Sequence, residues 1–134
     1  MAPSNLNRVT VLGAGVLGGQ IAWHSAFKGK AVAVYDPFPE AIAKARVAHE
    51  MYARIYAAEL GASDADLDAT RSRLTYSGQL EPAVAKADLV IEAVPEVPEI
   101  KTRVYQQMAP WLPPHAIIAT NSSTLLPRDF AEAL

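Results

Sequence analysis

The sequence predicts an α/β domain built on a doubly wound parallel sheet, with a helical hairpin inserted after the second strand. Three observations carry this. The run Val9-Thr10-Val11-Leu12 leads directly into Gly13-Ala14-Gly15-Val16-Leu17-Gly18, a G-x-G-x-x-G turn with a helical pattern behind it. A second apolar run, Ala31-Val32-Ala33-Val34-Tyr35, closes on an acid, Asp36. Apolar runs and helical stretches then go on alternating along the chain, the order expected of parallel strands joined by helical crossovers.

Each element has its own signal. Residues 8–12 form the first strand. Residues 16–28 form the first helix, with Val16, Gln20, Ile21, His24 and Phe27 at helical spacing and Gly29 as its stop. Residues 31–35 are apolar throughout, as a parallel strand buried on both faces should be. Pro39 opens a long alanine-rich helix over 39–60 that Gly61 ends. Ser63 and Asp66 have the spacing of a capped start, so a further helix runs to about Arg73. A short strand over 74–77, a short helix over 81–87 and a strong strand over 89–93 follow. A helix over 98–111 has Pro98 in its first turn, and a fifth strand covers 116–120. Pro127 begins a last helix. The strand order should place a ligand crevice at the carboxyl ends of the strands, where the winding reverses.

The glycine turn points to a dinucleotide. Gly13 permits the tight turn off the first strand. Gly15, without a side chain, lets the backbone approach a pyrophosphate. Gly18 lets the helix pack against the strands. The first-turn N–H groups and the helix dipole favour phosphate charge. Ala14, Val16 and Leu17 complete the turn as cofactor-binding candidates. Asp36, eighteen residues beyond Gly18, can accept hydrogen bonds from ribose hydroxyls and would repel a 2′-phosphate. NAD is therefore expected over NADP. The alternative is a domain of the same fold that has lost its ligand.

Composition narrows the class. At 134 residues the chain suffices for one domain with a core. A net charge of −2 with interspersed signs gives no footprint for nucleic acid. The absence of cysteine excludes disulfides, thiolate metal sites and a cysteine nucleophile. His24, His49 and His115 share no metal-ligand spacing. His49 is expected on the polar side of the hairpin and His115 in the loop before the fifth strand. No signal peptide or membrane-length apolar run is visible, so a soluble cytoplasmic protein with no membrane partner is expected.

Two further runs are more specific than the glycine motif. Ala87-Asp88-Leu89-Val90-Ile91-Glu92-Ala93-Val94-Pro95-Glu96 and Pro114-His115-Ala116-Ile117-Ile118-Ala119-Thr120-Asn121-Ser122-Ser123 both resemble 3-hydroxyacyl-CoA dehydrogenases. The hairpin after Asp36 is also typical of that family. The resemblance covers essentially the whole chain and corresponds to the family's N-terminal, NAD-binding Rossmann domain. It implies NAD as cofactor and oxidation of a 3-hydroxyacyl-CoA to the ketone. Carried over by position, Glu96 and Lys101 match cofactor-contacting residues. Ser123 matches a serine near both nicotinamide and substrate, able to donate to the substrate oxygen, and Asn121 could help shape that pocket. The plainer alternatives are a helix-start acid for Glu96, turn and cap residues for Asn121 to Ser123, and a solvated helix residue for Lys101.

The resemblance also marks departures. The family's general base is a histidine, oriented by a glutamate, and both lie beyond the Asn-Ser-Ser run. The chain ends at Leu134 before either. The C-terminal helical domain, which completes the substrate pocket and usually mediates dimerisation, is likewise expected to be absent, leaving a unit inactive by itself and prone to self-association. The family's coenzyme A contacts, a serine and a lysine on the hairpin helix, correspond to Tyr52 and Glu59 here, with Arg46 or Arg54 as substitutes. Thr124-Leu125-Leu126-Pro127 also resembles relatives acting on carnitine or on sugar acids such as gulonate. A non-catalytic nucleotide-binding module is the reading from a different class.

Overall fold

The computed structural model describes residues 6–95 and 97–120. Its elements are β1 (Arg8–Leu12), α1 (Val16–Phe27), β2 (Ala31–Tyr35), α2 (Pro39–Leu60), α3 (Asp64–Arg73), β3 (Leu74–Ser77), α4 (Leu80–Val84), β4 (Leu89–Glu92), α5 (Pro98–Met108) and β5 (Ile117–Thr120). All strand pairs are parallel, in the order β3-β2-β1-β4-β5. The chain winds outward from β1 to β3 and then returns past β1 to β4. The crevice predicted at that reversal lies at the ends of β1, β2 and β4. The last predicted helix, from Pro127, falls outside the described residues.

Alternation along the strands builds three layers. On one face Val9, Val11, Val32 and Val34 pack with Ala22, Trp23 and Ala26 of α1, Ala45 and Ala53 of α2, and Leu67 of α3. On the other, Leu12, Tyr35 and Val90 pack with Ala83 and Val84 of α4 and Tyr105 and Met108 of α5. Thr10 points to this second face, where its hydroxyl donates to the Ala83 carbonyl, so its buried oxygen is satisfied. β5 lies at one edge among the described residues, and Ile117 there is 53% exposed.

Local rules set the element ends. Pro39 and Pro98 occupy first-turn positions where no N–H is needed. The Ser63–Asp66 pair forms the expected reciprocal cap: Ser63 N–H donates to Asp66 Oδ2 at 3.0 Å, and Asp66 N–H donates to Ser63 Oγ at 3.1 Å. Asp88 clasps the opposite end of the sheet, accepting from the N–H groups of Asn7 and Arg8 and from His115 Nε2 at 3.0 Å.

α1 buries Gly18, Gly19, Ala22, Trp23 and Ala26, whereas Val16 of the helically spaced set is 78% exposed. Small residues let the helix axis approach the sheet, whose valines fill the space. His49 does not lie on the polar side of the hairpin. It is 2% exposed, tilted against Trp23 and Tyr76. A carbonyl only accepts, so His49 Nε2–H donates to Gly19 O at 2.8 Å, and Nδ1 accepts from the Tyr76 hydroxyl at 2.6 Å. Both ring nitrogens are satisfied inside the core, which is why a polar residue can be buried there.

Two tests follow from this packing. A Cβ on Gly18 would lie 2.0 Å from the Gly13 carbonyl oxygen, whereas one on Gly19 would meet only His49 Nε2 at 3.8 Å. Gly18→Ala should destabilise the fold by about 1–3 kcal/mol through overpacking against backbone. Gly19→Ala should be neutral or stabilising by up to about 1 kcal/mol, from helix entropy. Urea titrations of both variants check this, and equal effects would contradict the packing.

The second test is pH. Burial pulls the His49 pKa below its ordinary value, against the smaller raising effects of the Gly19 bond and the Glu50 charge. The unfolded chain then takes up the proton more readily. The stability of the neutral core histidine is complete above about pH 6.5 and is lost as pH falls through the lower folded value. Urea midpoints should drop as the pH falls below about 6.5, and His49→Gln should flatten that part of the profile.

Candidate functional site

The crevice begins where β1 ends. Gly13 takes φ +107, a left-handed conformation, and a Cβ there would come 2.6 Å from the Ala93 carbonyl oxygen. Its N–H donates to Tyr35 O at 2.8 Å, which joins the turn to the end of β2. Gly15 is the N-cap of α1, and no side chain caps that helix. The first-turn N–H groups are thus left facing the crevice with the positive end of the helix dipole.

The crevice encloses about 390 Å³. Gly13, Gly15 and Leu17 line it from the turn, Asp36 from the end of β2, Ala41 from α2, and Ala93, Val94 and Pro95 from the loop after β4. Apart from Asp36 its walls are apolar, and its floor is bare backbone. The predicted turn residues divide by burial: Ala14 and Gly18 are buried, while Gly15, Val16 and Leu17 lie at the surface.

Asp36 is held as a crevice wall. Its Oδ2 accepts from Ala14 N–H at 3.0 Å and its Oδ1 from Phe38 N–H at 3.0 Å. The first bond ties the carboxylate to the glycine turn, and the second to the entry into α2. Each carboxylate oxygen keeps acceptor capacity for a further donor. The half-buried acid can therefore accept from vicinal hydroxyls and would oppose a phosphate in the same place. Glycine floor, uncapped helix start and acid together fit a dinucleotide: a pyrophosphate against backbone N–H groups and a ribose against Asp36.

On the far side of β1 the ends of β4 and β5 hold a buried ionic cluster that the sequence reading did not foresee. Glu92 and Lys101 are both fully buried, and Lys101 Nζ donates to Glu92 Oε2. The same oxygen accepts from Val94 N–H at 2.9 Å, and Glu92 Oε1 accepts from the Thr120 hydroxyl at 2.7 Å. Lys101 is therefore not a solvated helix residue, the plainer alternative for it. The available signal was an acid closing the apolar run Leu89-Val90-Ile91, with a lysine nine residues on.

The remaining candidates sort as follows. Glu96, Asn121 and Ser123 lie outside the described residues. His24 is exposed on α1 and its Nδ1 sits 2.7 Å from the Tyr56 hydroxyl, while His115 is held at the opposite end of the sheet by Asp88. Tyr52 lines a groove between α1 and α2, and Arg46 lies over the Tyr76 ring at 4.1 Å, away from the crevice. Among the described residues no group of His, Cys, Asp and Glu could hold a metal, and no helix is long and apolar enough to cross a membrane.

Comparison with known proteins agrees with this geometry. Residues 8–134 match the family described as 3-hydroxyacyl-CoA dehydrogenase, NAD binding domain. An L-carnitine dehydrogenase of Streptomyces coelicolor is 34% identical over 126 residues, covering 91% of this chain and 37% of that protein. A probable 3-hydroxyacyl-CoA dehydrogenase of Caenorhabditis elegans is 34% identical over 131 residues, covering 91% and 41% respectively. Among solved structures, a diketoreductase superposes with a TM-score of 0.90 at 43% identity, over 98% of this chain and 47% of that one. The chain thus spans less than half the length of each of these relatives. The doubly wound sheet, the glycine cradle with its acid, and the match over 127 consecutive positions make the chain a member of the 3-hydroxyacyl-CoA dehydrogenase family, in that family's NAD-binding domain.

Proposed function

We propose that this chain is the cofactor half of an enzyme that oxidises the 3-hydroxyl of an acyl-CoA to a ketone. The observation that carries the proposal is the crevice at the sheet reversal, where a side-chain-free turn and an uncapped helix start stand opposite Asp36. Gly13 to Gly18 hold the pyrophosphate, and Asp36 receives the adenosine ribose hydroxyls. Leu17, Val94 and Pro95 offer the bound cofactor apolar contact along the crevice. When bound, NAD supplies the hydride acceptor for the carbinol carbon.

The resemblance assigns the substrate side to residues beyond β5. Ser123 donates to the substrate oxygen, Asn121 shapes the pocket, and Glu96 joins the cofactor contacts; Lys101, the other position matched by the resemblance, is fully buried with its Nζ on Glu92. Proton removal from the hydroxyl needs a positioned base, worth about 10²–10⁴ in rate. None of His24, His49 or His115 stands at the crevice, so the base is supplied from outside the described residues. The family's histidine fills that role in this reading.

A second substrate reading has its own support. The Streptomyces coelicolor relative acts on L-carnitine by name, and Tyr52 and Glu59 stand where a serine and a lysine would hold coenzyme A. Turnover on a 3-hydroxyacyl-CoA, L-carnitine and gulonate in parallel, by a protein that joins this domain to the family's substrate domain, separates the two. Activity confined to carnitine or gulonate would replace the acyl-CoA assignment.

Two variants test the cofactor site. Asp36→Ala should weaken NADH binding by about 1.5–3 kcal/mol, the worth of a charge-assisted hydrogen bond, and should narrow the preference over NADPH. Calorimetric titration with both cofactors reads this. Equal affinity of the unaltered chain for both would remove the role of Asp36. At Gly15, φ is −70 and an added Cβ meets nothing within 4 Å. Gly15→Val should therefore keep its circular-dichroism spectrum and melting temperature yet lose cofactor binding, because the side chain fills the pyrophosphate position. Undiminished binding would place the phosphates elsewhere.

A further inference from the structure

Glu92 closes an otherwise apolar strand, and its carboxylate collects donors from three separate segments. Val94 N–H comes from the loop after β4, Lys101 Nζ from α5 and the Thr120 hydroxyl from the end of β5. The Tyr105 hydroxyl is buried in the same region, its pKa pushed up first by burial and then by the Glu92 charge. Val94 is itself a wall of the crevice, and Thr120 directly precedes Asn121-Ser122-Ser123.

A buried ion pair is a poor source of stability, since desolvation offsets most of its attraction, and apolar residues of the same volume often do as well. Apolar packing does not fix direction. Three donors converging on one carboxylate do, because each hydrogen bond weakens steeply off its axis and charged ones are the strong kind. The cluster therefore holds the loop after β4 and the end of β5 at one set separation.

We propose that Glu92 is a positioning residue for the nicotinamide half of the cofactor site, acting through Val94 and Thr120. The inference rests on the cofactor reading above. Asp36 at the end of β2 marks the adenosine half and the start of α1 marks the pyrophosphate, so the nicotinamide half falls on the β4–β5 side. Glu92 touches no cofactor itself. It sets the distance between the wall formed by Val94 and the strand end that leads to Ser123.

The test uses the whole 134-residue chain and two ligands, NADH and ADP, the latter lacking the nicotinamide half. Glu92→Gln should raise the Kd for NADH about tenfold, the equivalent of one hydrogen bond to a charged group. The Kd for ADP should stay within about twofold. Because Glu92→Gln leaves Lys101 without its carboxylate and can cost folding, Thr120 gives the second arm. Thr120→Val keeps the shape and loses the hydroxyl, while Thr120→Ser keeps the hydroxyl and loses a methyl. Under the positioning role Val loses NADH affinity and Ser restores it. A packing role gives the reverse order, which would overturn the proposal, as would parallel loss of NADH and ADP affinity. If the unaltered chain binds neither ligand, the cofactor reading itself fails, a result distinct from an unselective loss in the variants.

Discussion

The structure depends on how closely two stretches of backbone meet at the start of α1. A Cβ on Gly18 would stand 2.0 Å from the Gly13 carbonyl oxygen, and one on Gly13 would stand 2.6 Å from that of Ala93. The helix therefore starts directly over the end of β1, and the loop after β4 presses against the same turn. Everything at the crevice inherits this contact. It aims the first-turn N–H groups of α1, sets the floor against Ala93, and brings Ala14 N–H within 3.0 Å of Asp36. One larger side chain at either glycine would separate the cradle from the acid that faces it.

Around this contact, two polar groups of opposite character brace the crevice. Asp36 is half-buried and keeps acceptor capacity, so it can serve a ligand. Glu92 is fully buried and engaged by three donors, so it serves the protein. Both are carboxylates at the carboxyl ends of parallel strands, β2 and β4, which flank β1 on either side. Their difference in exposure separates them: Asp36 is open to a ligand, and Glu92 is enclosed by protein donors. His49 does a similar bracing job behind the turn, tying α2 and β3 to Gly19 in the first turns of α1. The hairpin is thereby coupled to the helix whose uncapped start faces the crevice.

Much of this was legible in the sequence. Strand and helix order, the glycine turn, Asp36 and the Ser63–Asp66 cap all follow from short-range rules. Apolar runs of five residues, proline in first turns and glycine stops need no knowledge of distant parts of the chain. The family resemblance of the two long runs added the cofactor and an expected chemistry, and the match over residues 8–134 bears out the family and its NAD-binding domain.

Only the tertiary structure decided which polar residues are buried and with whom. Helical spacing alone gives α1 several apolar stripes, and the one that faces the sheet is the one whose small residues allow close approach. In the sequence His49 reads as a residue of the hairpin's polar side and Lys101 as a cofactor contact or, failing that, a solvated helix residue, because each looks polar by itself. Each is buried because a partner distant in sequence satisfies it: Gly19 and Tyr76 for the histidine, Glu92 for the lysine. Burial of a polar group is a property of the pair, set by long-range packing, and no single position in the sequence carries it. The sequence by itself therefore determined the order of the elements and the cradle, and the tertiary structure alone determined the buried polar pairs that hold the cradle in place.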